Sequence, residues 1–117
     1  MERNDSIEIK HTSTVIWARL PDNTKAYIKY EIRENRMLIL ETYTPPQHRG
    51  KGIAKKLMEY AVKLAEEKNL YIEPICSYSI YYFTKNPDKK YILAPEYRDV
   101  DLEQLWRSKI EEEGRKK

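Results

Sequence analysis

The sequence has one cysteine, one phenylalanine and three glycines among its 117 residues, and nowhere a run of about eighteen apolar residues. Each scarcity excludes something. The lone Cys76 cannot close an internal disulfide, and with two histidines and no Cys/His cluster there is no ligand set of the zinc type, so no metal is expected. The missing apolar run excludes a membrane-spanning helix, and the opening M-E-R-N-D-S-I-E-I-K has no apolar stretch for a secretory signal. A soluble, cytoplasmic protein is expected. No sign of charge dominates either: 22 Lys and Arg against 19 Asp and Glu leave a formal +3, which is no nucleic-acid signature by itself. Repeats, low-complexity tracts and Gly/Ser linkers are also missing, and the length suits one domain with one core.

What the chain does have is clear periodic segments separated by its six prolines. T-V-I-W-A-R-L (Thr14 to Leu20) and A-Y-I-K-Y-E-I (Ala26 to Ile32) read as strands joined through P-D-N-T, and M-L-I-L-E-T-Y (Met37 to Tyr43) follows an E-N-R turn. The three predict an antiparallel meander. From Lys51 to Asn69, Ile53, Leu57, Ala61, Leu64 and Ala65 recur at helical spacing, with Met58 and Val62 widening the stripe. Y-I-E-P-I-C (Tyr71 to Cys76) is short and apolar and follows this helix, which predicts a parallel-type return to the same sheet, with Pro74 at an edge or bulge. Ser77 or Ser79 can then cap a short helix that stops before Pro87. A last helix is expected from Asp99, with Asp101 and Gln104 in capping-box spacing, Leu102, Leu105, Trp106 and Ile110 on one face, and a frayed end.

Two of the three glycines stand together in P-P-Q-H-R-G-K-G-I-A, between a strand and the strongest helix. Glycine lets the main chain turn tightly and approach a ligand, and the first-turn N–H groups of the helix have no internal partner and sit at the positive dipole end. The segment therefore reads as an anion site, most naturally for phosphate; an ordinary turn before an ordinary helix is the alternative. Arg49, Lys51, Lys55 and Lys56 add charge, and residues 47–70 hold six bases against three acids. A Walker A loop fails, because Pro45 and Gly52 stand where it needs Gly and Ser or Thr. The dinucleotide fingerprint fails at Lys55.

Gln47-His48-Arg49-Gly50-Lys51-Gly52 resembles the Q/R-x-x-G-x-G/A pattern of the GNAT N-acetyltransferase superfamily. The resemblance implies that these residues, with Ile53 and Ala54, hold the pyrophosphate of acetyl-coenzyme A, and that an α/β fold surrounds them: a mixed, mostly antiparallel sheet that splits where the coenzyme enters. More narrowly, the chain is similar to the small YjdJ-type GNAT-like proteins, in which a cysteine closes the strand after the motif helix and an aromatic-rich helix ends in N-P. Cys76-Ser77-Tyr78 through Lys85-Asn86-Pro87 fits that pattern. The likeness runs from about Val15 to Pro87. The chain is read as a single domain over residues 1–117, with a core at about 14–90 and, outside the likeness, a charged helical tail at about 99–117 taken as a packing or partner surface.

The reaction implied is acetyl transfer to an amine, with an open acceptor side that suits a protein or peptide amine or a small one. Glu41 closes a strand just before the motif, where these enzymes often place the carboxylate that takes a proton from the amine; a histidine often stands near this position in the YjdJ-type proteins, so Glu41 departs from their pattern. Tyr78 and Tyr82, four apart on the short helix, are the candidates to protonate the leaving thiolate. Cys76, before a helix start that would stabilise a thiolate, is either an acetyl carrier or assisting base, or a small buried packing residue. His48 reads as a solvated loop side chain rather than a catalyst. The alternative function is a non-catalytic module that binds acyl-coenzyme A, or one that offers its basic face to nucleic acid.

Overall fold

The computed structural model describes residues 7–115. Strand β2 (Val15–Arg19) alternates, burying Ile16 and Ala18 and turning Trp17 the other way, as a half-buried strand must. It pairs antiparallel with β3 (Lys25–Arg33), which pairs antiparallel with β4 (Arg36–Tyr43). This is the expected meander. The short strand β1 (Ile9–His11), antiparallel to β2, adds a fourth member that the sequence reading lacks. Three residues on a sheet edge, two of them exposed, leave no two-faced burial pattern to detect. Between the pairs Lys29–Glu41 and Tyr30–Ile39 the register shifts, so Leu40 bulges out of β4 and is 39% exposed.

Helix α1 (Ile53–Glu67) buries Ile53, Leu57, Met58, Ala61, Val62, Leu64 and Ala65, the stripe expected from the spacing together with its two widening residues. It packs on β2, β3, β4 and β5. Each fully buried Leu or Met there contributes about 1.5–3 kcal/mol by leaving water. The chain then returns as β5 (Tyr71–Pro74), parallel to β4 from Arg36–Tyr71 to Ile39–Pro74. β5 is the last strand of a five-stranded sheet ordered as in the chain, which is where a strand proline is tolerated.

Pairing between β4 and β5 stops at Ile39. The N–H groups of Ile75 and Cys76 both donate to the Ile39 carbonyl, at 3.1 and 3.0 Å, and the chain turns away into α2 (Ser77–Lys85). β4 continues to Tyr43 without β5 beside it. The sheet therefore splits between β4 and β5 beyond Ile39, and a split sheet is what the resemblance implies.

Neither serine caps α2, contrary to expectation. Cys76 is the N-cap and no side chain caps the helix; the Ser79 hydroxyl donates to the Cys76 carbonyl at 2.7 Å, and the Ser77 hydroxyl donates to Glu113 at 2.9 Å. Both hydroxyls are engaged elsewhere. α2 ends before Pro87, as expected, with the Asn86 amide donating to the Tyr82 carbonyl.

Helix α3 (Leu102–Arg115) lies along α2. The Asp101 carboxylate accepts the Gln104 N–H at 3.1 Å, which is half of the expected capping box. Leu102 is buried and Leu105 and Trp106 pack against the core, but Ile110 is 45% exposed. The stripe facing α2 runs through Trp106 and Glu113, and Ile110 falls on its flank. The helix also runs through Gly114 instead of fraying at the E-E-E segment; Lys116 and Lys117 lie outside the described residues. Among the described residues no helix is long and apolar enough to cross a membrane.

Candidate active site

The split in the sheet opens on a groove of about 610 Å³ whose walls are the end of β4 (Thr42, Tyr43, Thr44), the following loop (His48, Arg49, Gly50, Gly52), the first turn of α1 (Ile53, Ala54, Lys55), and Tyr78 and Tyr81 of α2. Among the described residues no carboxylate lines it, and two cations do.

The backbone explains the glycines. Gly50 and Gly52 have φ of +81° and +80°, a left-handed conformation that costs any residue with a Cβ. A Cβ at either position would meet nothing within 4 Å, so the requirement is conformational and the space beside the glycines is open. Gly52 is the N-cap of α1, without a side-chain cap and without an acidic residue in the first turn. The Lys56 N–H is the first to be taken up, by the Gly52 carbonyl at 3.1 Å. The amides of Ile53, Ala54 and Lys55 precede it and have no helical partner. An uncapped helix start, cations and no carboxylate make a site that fits an anion.

The loop is held from behind. Pro46–His48 form a 3-10 turn, and Gln47 Nε2 donates to Asp22 Oδ2 at 3.0 Å. His48 Nε2 stands 3.0 Å from Asp22 Oδ1 with its side chain 11% exposed, at ion-pair distance but out of line for a hydrogen bond. The expectation of a solvated His48 is thus corrected: its side chain is largely covered, beside Asp22, in a residue that also lines the groove. The Thr24 hydroxyl, then Gln47 and His48, hold the Asp22 carboxyl well below the usual range. Arg49 Nε donates to the Thr44 carbonyl at 2.9 Å. Gln47 and Lys51 do not line the groove. Asp22 is a supporting residue that sequence reasoning missed, because the P-D-N-T turn carries no sign of what it faces.

The two candidate tyrosines part company. Tyr78 lines the groove, and burial, with smaller effects from Tyr81, Glu59 and Cys76, pushes its pKa up to about 12. Tyr82 is 1% exposed, lines a separate small cavity beside Glu59 and Lys63, and its hydroxyl has no partner among the described residues. The tyrosine that joins Tyr78 at the groove is Tyr81, with ring centroids 6.1 Å apart. Ten tyrosines in the chain gave no signal to single it out.

Glu41 stands outside the groove, exposed, accepting from the Tyr27 hydroxyl at 3.2 Å and 3.7 Å from Lys29 Nζ. Tyr43, two residues on, does line it. Cys76 is 8% exposed and does not line the groove; Thr42, which does, has its Oγ1 3.3 Å from the Cys76 Sγ. Among the described residues no group of His, Cys, Asp and Glu could hold a metal ion.

A family model described as GCN5-related N-acetyl-transferase matches residues 15–92, from β2 to the segment before α3. Among solved structures, the solution NMR structure of a GCN5-like protein from Staphylococcus aureus is similar in fold, with a TM-score of 0.57 and 24% identity over 80% of this chain and 96% of that one.

Proposed function

The chain belongs to the GCN5-related N-acetyltransferase family, and from that premise we propose that it moves an acetyl group from acetyl-coenzyme A to an amine, holding the coenzyme's pyrophosphate at Gly50, Gly52 and the first turn of α1. The observation that carries this reading is the groove itself: a split sheet leading to an uncapped helix start, with Arg49 and Lys55 on its walls and no carboxylate. A diphosphate there meets donors and positive charge and no repulsion.

The chain's own residues divide the work. Backbone amides at residues 50–54 take the phosphates, and Gln47 from behind and His48 from the groove wall, both held against Asp22, keep those amides in place. Beyond Ile39, β4 has no strand beside it on the split side, so its backbone donors are open there to a thioester carbonyl. Tyr78 keeps its phenolic proton, with its pKa at about 12, and gives it to the leaving thiolate. Glu41, on the open face of the sheet, takes the proton from the amine. Residues of about 14–90 form the catalytic core in this reading, and α3 braces it.

The test is to incubate the protein with acetyl-coenzyme A and panels of amines and peptides, and to follow release of free thiol. Release that depends on acceptor supports the proposal. Binding without turnover would make the protein a non-catalytic acyl-coenzyme A module, and no coenzyme binding with salt-sensitive nucleic-acid binding would assign the basic face to nucleic acid.

A further inference from the structure

Alternation along β2 and β3 sends Ile16, Ala18, Ala26 and Ile28 into the core and Trp17, Tyr27 and Lys29 to the opposite face of the sheet. The register places Lys10, Trp17, Tyr27 and Tyr43 directly across four strands, a row about 14 Å long at ordinary strand spacing. The rings of Tyr27 and Tyr43 are 5.4 Å apart, and Tyr43 lines the groove. The row thus runs from the open edge of the sheet into the candidate active site.

Cations flank this row. Lys25 and Lys10 Nζ stand 5.0 and 6.0 Å from the centre of the Trp17 ring, and Lys29 Nζ stands 5.7 Å from that of Tyr27. Arg19 meets the neutral Asn23 side chain. Glu41 is already shared by Lys29 and Tyr27, and among the described residues neither Lys10 nor Lys25 has a carboxylate at ion-pair distance. The far end of the sheet differs: Arg33 and Arg36 are neutralised there by Glu31, Glu73 and Glu96. Along the aromatic row Lys10 and Lys25 keep their charge without a carboxylate at ion-pair distance among the described residues, although Glu8 lines the same pocket as Lys10 and Trp17.

We propose that the row Lys10–Trp17–Tyr27–Tyr43 is the docking track for an extended acidic segment of the acceptor, about four or five residues long at the rise of a strand, which brings its amine to Glu41 and Tyr43. This rests on the acetyltransferase reading and narrows the acceptor to one with negative charge beside its amine. The lysine ammoniums lie over the rings, so the face offers charge to carboxylates more readily than bare rings to nucleobases.

The probes are the blocked pentapeptides Glu-Glu-Lys-Glu-Glu and Arg-Arg-Lys-Arg-Arg and a short oligothymidylate, with binding followed by Trp17 fluorescence in the full chain carrying Trp106→Phe. The acidic peptide is expected to bind at least about tenfold more tightly than the basic one, to weaken with added salt, and to lose that preference in Lys10→Glu/Lys25→Glu. Equal affinities, a preference that survives charge reversal, or tighter binding of the oligothymidylate overturns the proposal. Titration of the same samples with acetyl-coenzyme A separates the two readings. Coenzyme binding without peptide discrimination removes the docking track alone, whereas discrimination without coenzyme binding removes the acetyltransferase reading and leaves the acidic-segment surface standing.

Discussion

Thr42 Oγ1 and Cys76 Sγ lie 3.3 Å apart, just past the last parallel rung between Ile39 and Pro74, and close the base of the split between β4 and β5. The thiol also donates to Ser79 Oγ at 3.4 Å. Thr42 faces the groove and Cys76 sits behind it.

That arrangement favours direct transfer over an acetyl-cysteine. Intact mass after mixing with acetyl-coenzyme A, without acceptor, is expected to show no added acetyl group on Cys76. Cys76→Ser, which keeps both polar contacts, should retain turnover, and Cys76→Ala should retain it with about 1 kcal/mol of stability lost. An adduct that disappears in both variants together with turnover would establish the covalent route.

Tyr78→Phe is expected to lower turnover by about a hundredfold while acetyl-coenzyme A affinity stays near wild type. Because the pKa of Tyr78 is raised from 10.0 to about 12, the acid stays protonated as pH rises through 10, and turnover should fall only as pH approaches 12. Tyr82→Phe should leave turnover unchanged and the fold as stable or about 1 kcal/mol more stable, since it removes a buried hydroxyl that has no partner. Denaturant unfolding and steady-state kinetics check both. Loss of turnover in Tyr82→Phe with wild-type activity in Tyr78→Phe would reverse the assignment.

Glu41→Gln is expected to lower turnover by about a hundredfold with coenzyme affinity unchanged. Unchanged turnover would leave Glu41 as a partner of Lys29 and Tyr27 on an exposed strand.

The order of elements and the meander were legible in the sequence because each rests on local signals: alternation in residues 14–43, the 3.6-residue stripe of α1, and a short apolar return ending at Cys76; the split came only from the family resemblance. The glycine turn and the uncapped start of α1 were legible for the same reason, since glycines at positive φ before a helix are a backbone matter. Side-chain partners were less so. Nothing local says that Asp22 holds Gln47 and His48, or that α3 takes the Ser77 hydroxyl away from capping. The choice between Tyr81 and Tyr82 turned on which side of a nine-residue helix faces a groove that only tertiary packing creates.

Trp106 stands 5.5 Å from Tyr81, ring to ring, on a helix beyond the family match. Trp106→Ala is expected to cost roughly 2 kcal/mol of stability, less than for a fully buried aromatic, and to raise the dissociation constant for acetyl-coenzyme A several-fold by loosening the α2 wall. Trp106→Phe should restore both. Wild-type coenzyme affinity in Trp106→Ala would separate α3 from the groove.

In the proposed function the glycine loop and the start of α1 grip acetyl-coenzyme A through the backbone. Calorimetric titration of wild type, Gly52→Val and Lys55→Ala, each checked for native circular dichroism, measures that grip. Valine at φ +80° must strain or move the amides at the head of α1. Gly52→Val should therefore lose at least about 1.4 kcal/mol of binding, roughly tenfold, and more than Lys55→Ala loses. Equal affinities in wild type and a folded Gly52→Val would contradict it.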